Sequence, residues 1–247
     1  MRIHRLFIDV PLASDTDLTL GPEAANYLGR ALRARPGGKL LVFNGHGGEY
    51  HATITTLGRR DVSIRVGEFV DVARESPLDI TLLQGLSRGE RMDFVVQKAT
   101  ELGVTAIVPI DTEYAGVSLD KERREKRREH FRSIAIAAAQ QCGRTSVASV
   151  APITTLARAI ADLPVDALRL VADTAPGDAW PADSTQKIFI AVGPEGGFAD
   201  HERDTLAQHG FLRVNLGPRV LRTETAALTA LTVLQSRYGD MTGDPAG

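Results

Sequence analysis

Hydrophobic and polar residues alternate in the first third of the chain, with the two-residue period of a β-strand. This alternation predicts strands at residues 2–10, 39–44, 50–57 and 62–70. Residues 22–33 instead carry apolar side chains at helical spacing and predict a helix. The stretches GHGG (45–48) and GRRD (58–61) separate the last three strands and predict hairpin turns. These elements indicate a small, mostly antiparallel β unit of roughly seventy residues, the size of a compact barrel domain.

The rest of the chain alternates apolar strand-like runs with helical patterns. Strands are predicted at residues 78–84, 106–110, 168–172, 187–192 and 212–215. Helices are predicted at residues 92–102, 121–140, 154–162, 200–208 and 224–237. This order favours an α/β fold with a parallel sheet covered by helices. The pattern changes near residues 71–78, which predicts two domains, 1–73 and 74–247.

Composition sets further bounds on the function. The 247 residues are 43% hydrophobic and 24% charged, which is ordinary for a globular protein. The single cysteine, Cys142, excludes an internal disulfide framework and fits a reducing compartment, and we expect it to be a small buried apolar residue. No run approaches the ~18–20 apolar residues of a membrane span, and the N-terminus lacks a signal peptide pattern. We therefore predict a cytoplasmic protein with no membrane partner.

Charge is unevenly distributed along the chain. The net charge of −2 excludes a uniformly basic nucleic-acid binder. Local basic groups can still contact a phosphate backbone, and the candidates in the β domain are Arg30, Arg33, Arg35 and Lys39. Residues 121–132 contain seven Lys or Arg, and this run is either a second RNA contact or a solvated helix face with pairs such as Glu122–Lys126. The six histidines lack metal-ligand spacing, so we predict no metal.

Two late strands are each followed by a glycine-containing loop. The first loop, Gly193-Pro194-Glu195-Gly196-Gly197, lacks the lysine of a phosphate loop and follows a late strand rather than the first. It is either a tight turn that needs glycine or a place where backbone approaches a ligand. The second loop contains Gly217 and precedes a helix for which Thr223 or Thr225 can be the cap. Both loops belong to the carboxyl edge of the sheet, where they can bind a flat, largely uncharged ligand such as adenine.

These loops carry a specific resemblance. VGPEGGF (192–198) followed by LGPRVLRTETAALTAL (216–231) resembles the 16S ribosomal RNA (uracil-N3) methyltransferase family, in the SPOUT superfamily. Residues 27–54, 80–110 and 135–152 are also similar to that family. The resemblance implies a C-terminal SPOUT-type parallel sheet with a trefoil knot, preceded by a PUA-like β-barrel domain that binds RNA. It also implies S-adenosylmethionine (SAM) as cofactor and ribosomal RNA of the small subunit as substrate.

One position departs from the family pattern. Relatives usually have serine where this chain has Ala199. We therefore expect Glu202 to lose its partner in a capping box and Asp200 to cap the helix instead.

The resemblance also implies where the cofactor binds. The C-terminal segment 216–222 is expected to be threaded through a loop, and the resulting knot forms the cofactor cleft. The expected cofactor contacts are Ala172, Asp173, Thr174, Gly193, Pro194, Glu195, Gly196, Leu216, Gly217, Val220, Leu221, Thr223 and Thr225.

Methyl transfer to uracil N3 requires loss of the N3 proton, so the implied site must stabilise a uridinate. Arg222 is the candidate for this role, with a structural ion pair to Glu195 or Glu224 as the alternative. Glu195 has two alternative roles. It accepts a proton or positions the substrate, or else it interacts favourably with the dipole of the following helix. Arg144 either contacts phosphate or base, or interacts with the C-terminus of its helix.

The resemblance further implies a homodimer whose interface includes the knot. The alternative function from another class is a non-catalytic RNA-binding module that retains the fold. The two intact glycine loops favour the enzyme, because a pure binding module would not need them.

Overall fold

The computed structural model describes residues 3–116, 120–175, 177–178, 180–182 and 186–241. The chain forms two compact units, Met1–Glu75 with Ala139–Val147, and Ser76–Ala138 with Ala148–Gly247. The division of the sequence into domains 1–73 and 74–247 stays a prediction. The two compact units differ from it in one respect, because residues 139–147 group with the first unit.

The first unit contains a five-stranded sheet in the order β1-β3-β4-β5-β2. Its strands are β1 (His4–Phe7), β2 (Thr16–Leu20), β3 (Lys39–Phe43), β4 (Glu49–Leu57) and β5 (Val62–Val70). Pairing is antiparallel except between β1 and β3. The amide of Gly58 donates to the carbonyl of Asp61 at 2.9 Å, which closes the predicted hairpin between β4 and β5. The pattern did not predict β2, whose polar TDLTL sequence has no fully buried residue.

Alternate residues of the strands point inward and form the core of this unit. Val62, Ile64 and Val66 point inward from β5 and are fully buried, together with inward residues of β3 and β4. The helix α1 (Pro22–Asn26) begins at a proline, which suits the first helical position, and continues as a π-helical turn, Tyr27–Ala31. The helix predicted for residues 22–33 is therefore split, because its hydrogen bonding changes after Asn26.

Hydrogen bonds from two arginines connect residues 139–147 to the rest of the first unit. Glu49 is 3% exposed and accepts hydrogen bonds from Arg5 at 2.6 Å and from Arg74 at 3.4 Å. Arg5 also donates to the carbonyl of Ala139, and Arg74 donates to the carbonyl of Gly143. Cys142 is exposed, so the expectation of a buried cysteine was wrong.

The second unit contains a seven-stranded, wholly parallel sheet. Six strands follow the order β12-β10-β11-β6-β7-β8, and β9 pairs with β7. Their bounds are β6 (Asp79–Gly85), β7 (Ala106–Asp111), β8 (Ser149–Val150), β9 (Thr154–Thr155), β10 (Leu168–Ala172), β11 (Lys187–Val192) and β12 (Leu212–Val214). The two-residue strands β8 and β9 were not predicted, since two residues carry no periodicity. The parallel α/β fold predicted from the alternation of elements is confirmed.

Helices connect these strands. They are α2 (Arg91–Glu101), α3 (Lys121–Cys142), α4 (Leu156–Ile160), α5 (Asp200–Gln208) and α6 (Thr223–Tyr238). The central strands β6 and β11 are buried on both faces over residues 82–85 and 190–192, as expected for a sheet covered on both sides. No helix within the described ranges is both long and apolar enough to span a bilayer.

Candidate functional site

Four neighbouring parallel strands of the second unit, β6, β10, β11 and β12, end at the same edge of the sheet. Loops after β10, β11 and β12 enclose a cavity of about 570 Å³. In open α/β sheets this edge is the usual place for a ligand. The lining residues from these loops and the adjoining helices include Arg91, Ala172, Asp173, Thr174, Gly193, Pro194, Glu195, Gly196, Arg203, Leu216, Gly217, Arg219, Val220, Leu221, Arg222, Thr223 and Glu224.

The glycine turn after β11 is closely packed. The amide of Gly197 donates to the carbonyl of Pro194 at 2.9 Å, and Gly197 has a left-handed φ of 71°. A Cβ atom on Gly193 would lie 3.0 Å from the carbonyl carbon of Gly197. On the neighbouring strand end, a Cβ on Gly85 would lie 2.4 Å from the nitrogen of Pro194. Glycine is therefore required both in the turn and at the strand end beside it.

The hydroxyl of Thr223 connects this turn to the last helix. It donates to the carbonyl of Gly193 at 2.6 Å and accepts from the side-chain amide of Gln84 at 2.9 Å. Gln84 is fully buried and Thr223 is 5% exposed, so water does not compete for these bonds. The helix α6 begins after Arg222, without a side-chain cap, so the expectation of a cap at Thr223 or Thr225 was wrong. The threonine hydroxyl is used between elements instead.

Glu195 is held by cations and amides. Its carboxylate pairs with Arg91 and accepts the backbone amide of Arg88 at 3.2 Å. Burial raises the pKa of Glu195, but hydrogen bonds from its own backbone, from Arg91 and from Arg88, with the Arg91 charge, bring the pKa below its ordinary value. Since α5 begins only at Asp200, Glu195 does not lie in the first turn of that helix, and the dipole explanation fails.

The remaining charged groups of the cavity differ in how they are paired. Arg203 lies 3.5 Å from the carboxylate of Asp173, whose side chain is 9% exposed. Arg219 and Arg222 are exposed. Among the described residues, Arg222 makes no ion pair with Glu195 or Glu224. The alternative role for Arg222, a structural ion pair, is therefore not observed among them.

The start of α5 lies next to the glycine turn. Ala199 is the cap residue, and Glu202 accepts its backbone amide at 2.9 Å and that of Glu113 at 3.1 Å. The expectation that Asp200 caps this helix and that Glu202 is without a partner was therefore wrong. Glu202 is 6% exposed and holds the segment whose Tyr114 packs against Gly196.

Arg144 lies in the first unit and is buried, at 7% exposure. Its guanidinium pairs with Glu75 at 2.7 Å and donates to Ser146 at 3.1 Å. Glu75 also accepts the backbone amides of Thr145 and Ser146. Burial raises the pKa of Glu75, but hydrogen bonds from Ser146 and Arg144 and the Arg144 charge outweigh it and lower the pKa. These contacts favour a structural role for Arg144.

The structure thus brings most of the expected cofactor residues to one cavity. Thr225 is exposed on α6 and is not among the residues that line it. Sequence reasoning missed Gly85, Arg91, Arg203 and Glu224. The signal for Gly85 and Arg91 was their position at the end of β6 and just after it, at the same carboxyl edge as the glycine turn.

Comparisons with known proteins agree with this geometry. The model of an RNA methyltransferase domain matches residues 74–235, and that of an RNA methyltransferase PUA domain matches residues 20–67. The ribosomal RNA small subunit methyltransferase E of Buchnera aphidicola (from Schizaphis graminum) is 29% identical, with 97% of this chain and 98% of the relative covered.

Solved structures are similar over the same length. The ribosomal RNA small subunit methyltransferase E of Neisseria gonorrhoeae, solved with S-adenosyl methionine, is 34% identical, with a TM-score of 0.91 and coverage of 97% of this chain and 99% of that chain. A Legionella pneumophila protein solved with bound SAM is 39% identical, with a TM-score of 0.92 and coverage of 97% and 100%. The matched domain spans more than half of the sequence and includes the whole cavity, and the chain therefore belongs to the RNA methyltransferase family.

Proposed function

We propose that this protein transfers the methyl group of SAM to N3 of a uridine in 16S ribosomal RNA of the small subunit. The observation that supports this most is the cavity formed by the glycine turn and the 216–222 loop at the carboxyl edge of a parallel sheet. The Neisseria and Buchnera relatives carry the name of a small-subunit ribosomal RNA methyltransferase, which supports the substrate class. The preference for uracil N3 rests on the family resemblance of the two loops.

The residues of the cavity fit SAM. Its volume of about 570 Å³ lies within the range of roughly 300–1,000 Å³ that small-molecule sites occupy. The glycine turn, which has no room for a Cβ at Gly193, lets main-chain atoms approach a flat adenine. Carboxylates of Asp173 and Glu195 and the guanidinium of Arg203 suit a ligand that has both cationic and anionic groups.

SAM supplies a methyl group activated by its sulfonium, and the residues of the chain do the rest. Their task is to orient the uracil and to stabilise the negative charge that develops on it when N3 loses its proton. We assign charge stabilisation to Arg222, which is exposed at the cavity. Glu195, with Arg91, holds the turn in position. Its lowered pKa keeps it ionised and makes it a weak base.

RNA contact is assigned to the first unit. Arg30, Arg33, Arg35 and Lys39 are all exposed on it. Arg33 has a left-handed φ of 51°, a conformation uncommon outside glycine and often found at functional loops. Phosphate contacts of this kind orient the RNA, while its shape selects the site.

We also infer a homodimer that works in the cytoplasm, where ribosomal subunits are found, and a knotted last segment. These inferences rest on the family resemblance of the two glycine loops. Light scattering on the purified protein tests the dimer directly.

The experiment that tests the function is transfer of labelled methyl from SAM to small subunits that lack the modification, followed by digestion of the RNA to nucleosides. We expect label in 3-methyluridine. Arg222→Ala should reduce the rate by at least about 100-fold with SAM affinity retained, as for loss of one oxyanion-stabilising donor.

Arg158→Ala is the matched control, because this arginine is exposed on α4 and does not line the cavity. It should transfer methyl at the wild-type rate. Tight SAM binding without any labelled nucleoside would favour the non-catalytic RNA-binding module. Label in another nucleoside would contradict the uracil N3 assignment, and full activity of Arg222→Ala would remove that residue from the mechanism.

A further inference from the structure

A second, open groove lies beside the cofactor cavity. It is formed at the starts of α2 and α6 and is lined by Arg88, Gly89, Glu90, Arg91, Phe94 and Glu224. Two of these residues, Arg91 and Glu224, also line the cofactor cavity. The groove and the cavity therefore meet at these two side chains, which is where a molecule in the groove would come next to the cofactor.

Glu224 has an unused acceptor at this junction. Its Oε2 atom is buried and has no hydrogen-bond partner. A buried polar atom without a partner lowers stability, so most such atoms in proteins are paired. An ionised carboxylate can only accept hydrogen bonds. A ligand N–H would give the Glu224 carboxylate, which lines both the groove and the cavity, a hydrogen-bond partner.

The other carboxylates of the cavity are engaged. Asp173 pairs with Arg203, and Glu195 pairs with Arg91. Among the described residues Glu224 has no ion pair, although it is in the first turn of α6. Of the three, it is the carboxylate that can take a proton without first losing an arginine partner.

The groove also offers an aromatic surface. Phe94 lies on α2 and is 45% exposed, so part of its ring is open to the groove. Single-stranded bases stack on exposed aromatic rings. The neighbouring Arg88 and Arg91 bring positive charge to the same groove, which suits a nucleotide.

We propose that the target uracil binds in this groove against Phe94 and that Glu224 takes the proton from its N3. The inference rests on the proposed function and assigns the general base of that reaction. The N3–H proton moves to the carboxylate of Glu224, and the N3 electron pair forms a bond to the methyl carbon. The bond from that carbon to sulfur breaks with both electrons left on sulfur. Glu224 then releases its proton to water.

The test is Glu224→Gln, which keeps the shape of the side chain and removes its basicity. Single-turnover methyl transfer to small subunits lacking the modification should fall by about 100-fold or more, the usual contribution of a general base. SAM affinity, measured by calorimetry, should stay at the wild-type value. Glu122→Gln is the matched control, since Glu122 lies in the first turn of α3 and pairs only with exposed Lys126.

A second substrate separates a base from a merely structural residue. Fluorine at C5 of uracil withdraws electrons and makes N3 more acidic, so the reaction then depends less on a base. Subunits that contain 5-fluorouridine should restore much of the rate of Glu224→Gln while changing the wild-type rate little. Glu224→Asp, which retains a carboxylate, should be faster than Glu224→Gln on ordinary subunits.

Three results would overturn the inference. The first is a wild-type rate for Glu224→Gln, and the second is an equal loss of rate on ordinary and 5-fluorouridine subunits. The third is a loss of SAM affinity, which would make Glu224 a cofactor ligand. If the wild-type protein forms no 3-methyluridine, the proposed function itself fails. That outcome is distinct from an active wild type with an active Glu224→Gln.

Discussion

At the scale of single residues, similar arginines and glutamates have different surroundings, and these surroundings indicate different roles. Arg144 is buried and paired with Glu75, whereas Arg222 is exposed at the cavity. Glu195 is held by Arg91, whereas Glu224 has a free acceptor atom. These surroundings favour a structural role for Arg144 and for the Glu195–Arg91 pair, and they leave Arg222 and Glu224 as the candidates for the proposed roles in the reaction.

The Glu75–Arg144 pair predicts a pH-dependent stability. Glu75→Gln should lower the free energy of unfolding near neutral pH by about 1 kcal/mol, a value reduced because Glu75 is partly exposed. The folded pKa of Glu75 lies below the unfolded value of about 4.3, so its contribution is fully present above that pH. It is lost as the pH falls through the lowered folded pKa.

Urea denaturation of wild type and variant measures this effect, and the two curves should converge in the acid range. Glu68→Gln is the control in the same unit, because Glu68 is exposed on β5. A difference between wild type and Glu75→Gln that stays constant down to about pH 2 would contradict the assignment.

At the scale of elements, the site depends on how the ends of strands and helices are joined. The glycine turn after β11 is held on one side by Gly85 at the end of β6. On the other side it is held by Thr223 at the start of α6, whose hydroxyl also binds Gln84. Three elements far apart in sequence thereby fix the backbone of the turn that lines the cavity.

This connection predicts the effect of Thr223→Val, which keeps the shape of the side chain and removes the hydroxyl. The carbonyl of Gly193 and the amide of Gln84 lose a buried partner, at a cost of about 1–3 kcal/mol. Part of this cost should fall on the turn, so SAM affinity should drop by about 10-fold, which corresponds to about 1.4 kcal/mol.

Calorimetric titration with SAM is the measurement. Thr223→Ser retains the hydroxyl and should bind SAM nearly as well as wild type. If Thr223→Val binds SAM with unchanged affinity, the turn does not depend on this hydroxyl.

At the scale of the whole molecule, two compact units carry different surfaces. The first has exposed basic side chains on a small β sheet, and the second has the cavity of a parallel α/β sheet. We expect RNA affinity and cofactor affinity to be separable by mutation, because the residues concerned belong to different units.

The double variant Arg30→Gln/Arg35→Gln tests this separation. It should bind small-subunit RNA more weakly, and the slope of log affinity against log salt should decrease by about 0.7–0.9 for each phosphate that the protein no longer neutralises. SAM affinity should not change. The variant Arg123→Gln/Lys126→Gln removes the same charge from α3, where both side chains already pair with acids, and should have little effect.

Filter binding over a series of salt concentrations provides both slopes. A larger effect from the α3 variant would move the RNA surface to residues 121–132, the alternative that the charge pattern left open. If the wild type and the two double variants have equal slopes, neither the first-unit residues nor the α3 residues contact RNA.

Residue patterns along the chain were enough to predict the class of fold and the two glycine loops of the candidate site, and the family resemblance implied the other expected cofactor contacts. Periodicity predicted the long strands and helices, because burial of one face imposes a regular spacing on each of them. The two glycine loops followed strands in the pattern, so their meeting at one edge could be inferred for a parallel sheet. Thr16–Leu20 and the two-residue strands were missed, since they are too polar or too short to carry a periodic signal.

The pairing of charged and hydroxyl groups, in contrast, follows from tertiary packing alone. The sequence alone does not distinguish Arg144 from Arg222, or Glu195 from Glu224. Distances and burial in the structure show which of these side chains have partners. The hydroxyl of Thr223 became a link to Gly193 rather than a cap because α6 begins where that carbonyl lies within reach. Spacing along the chain fixes local structure, but partners from distant segments are fixed only when those segments pack together.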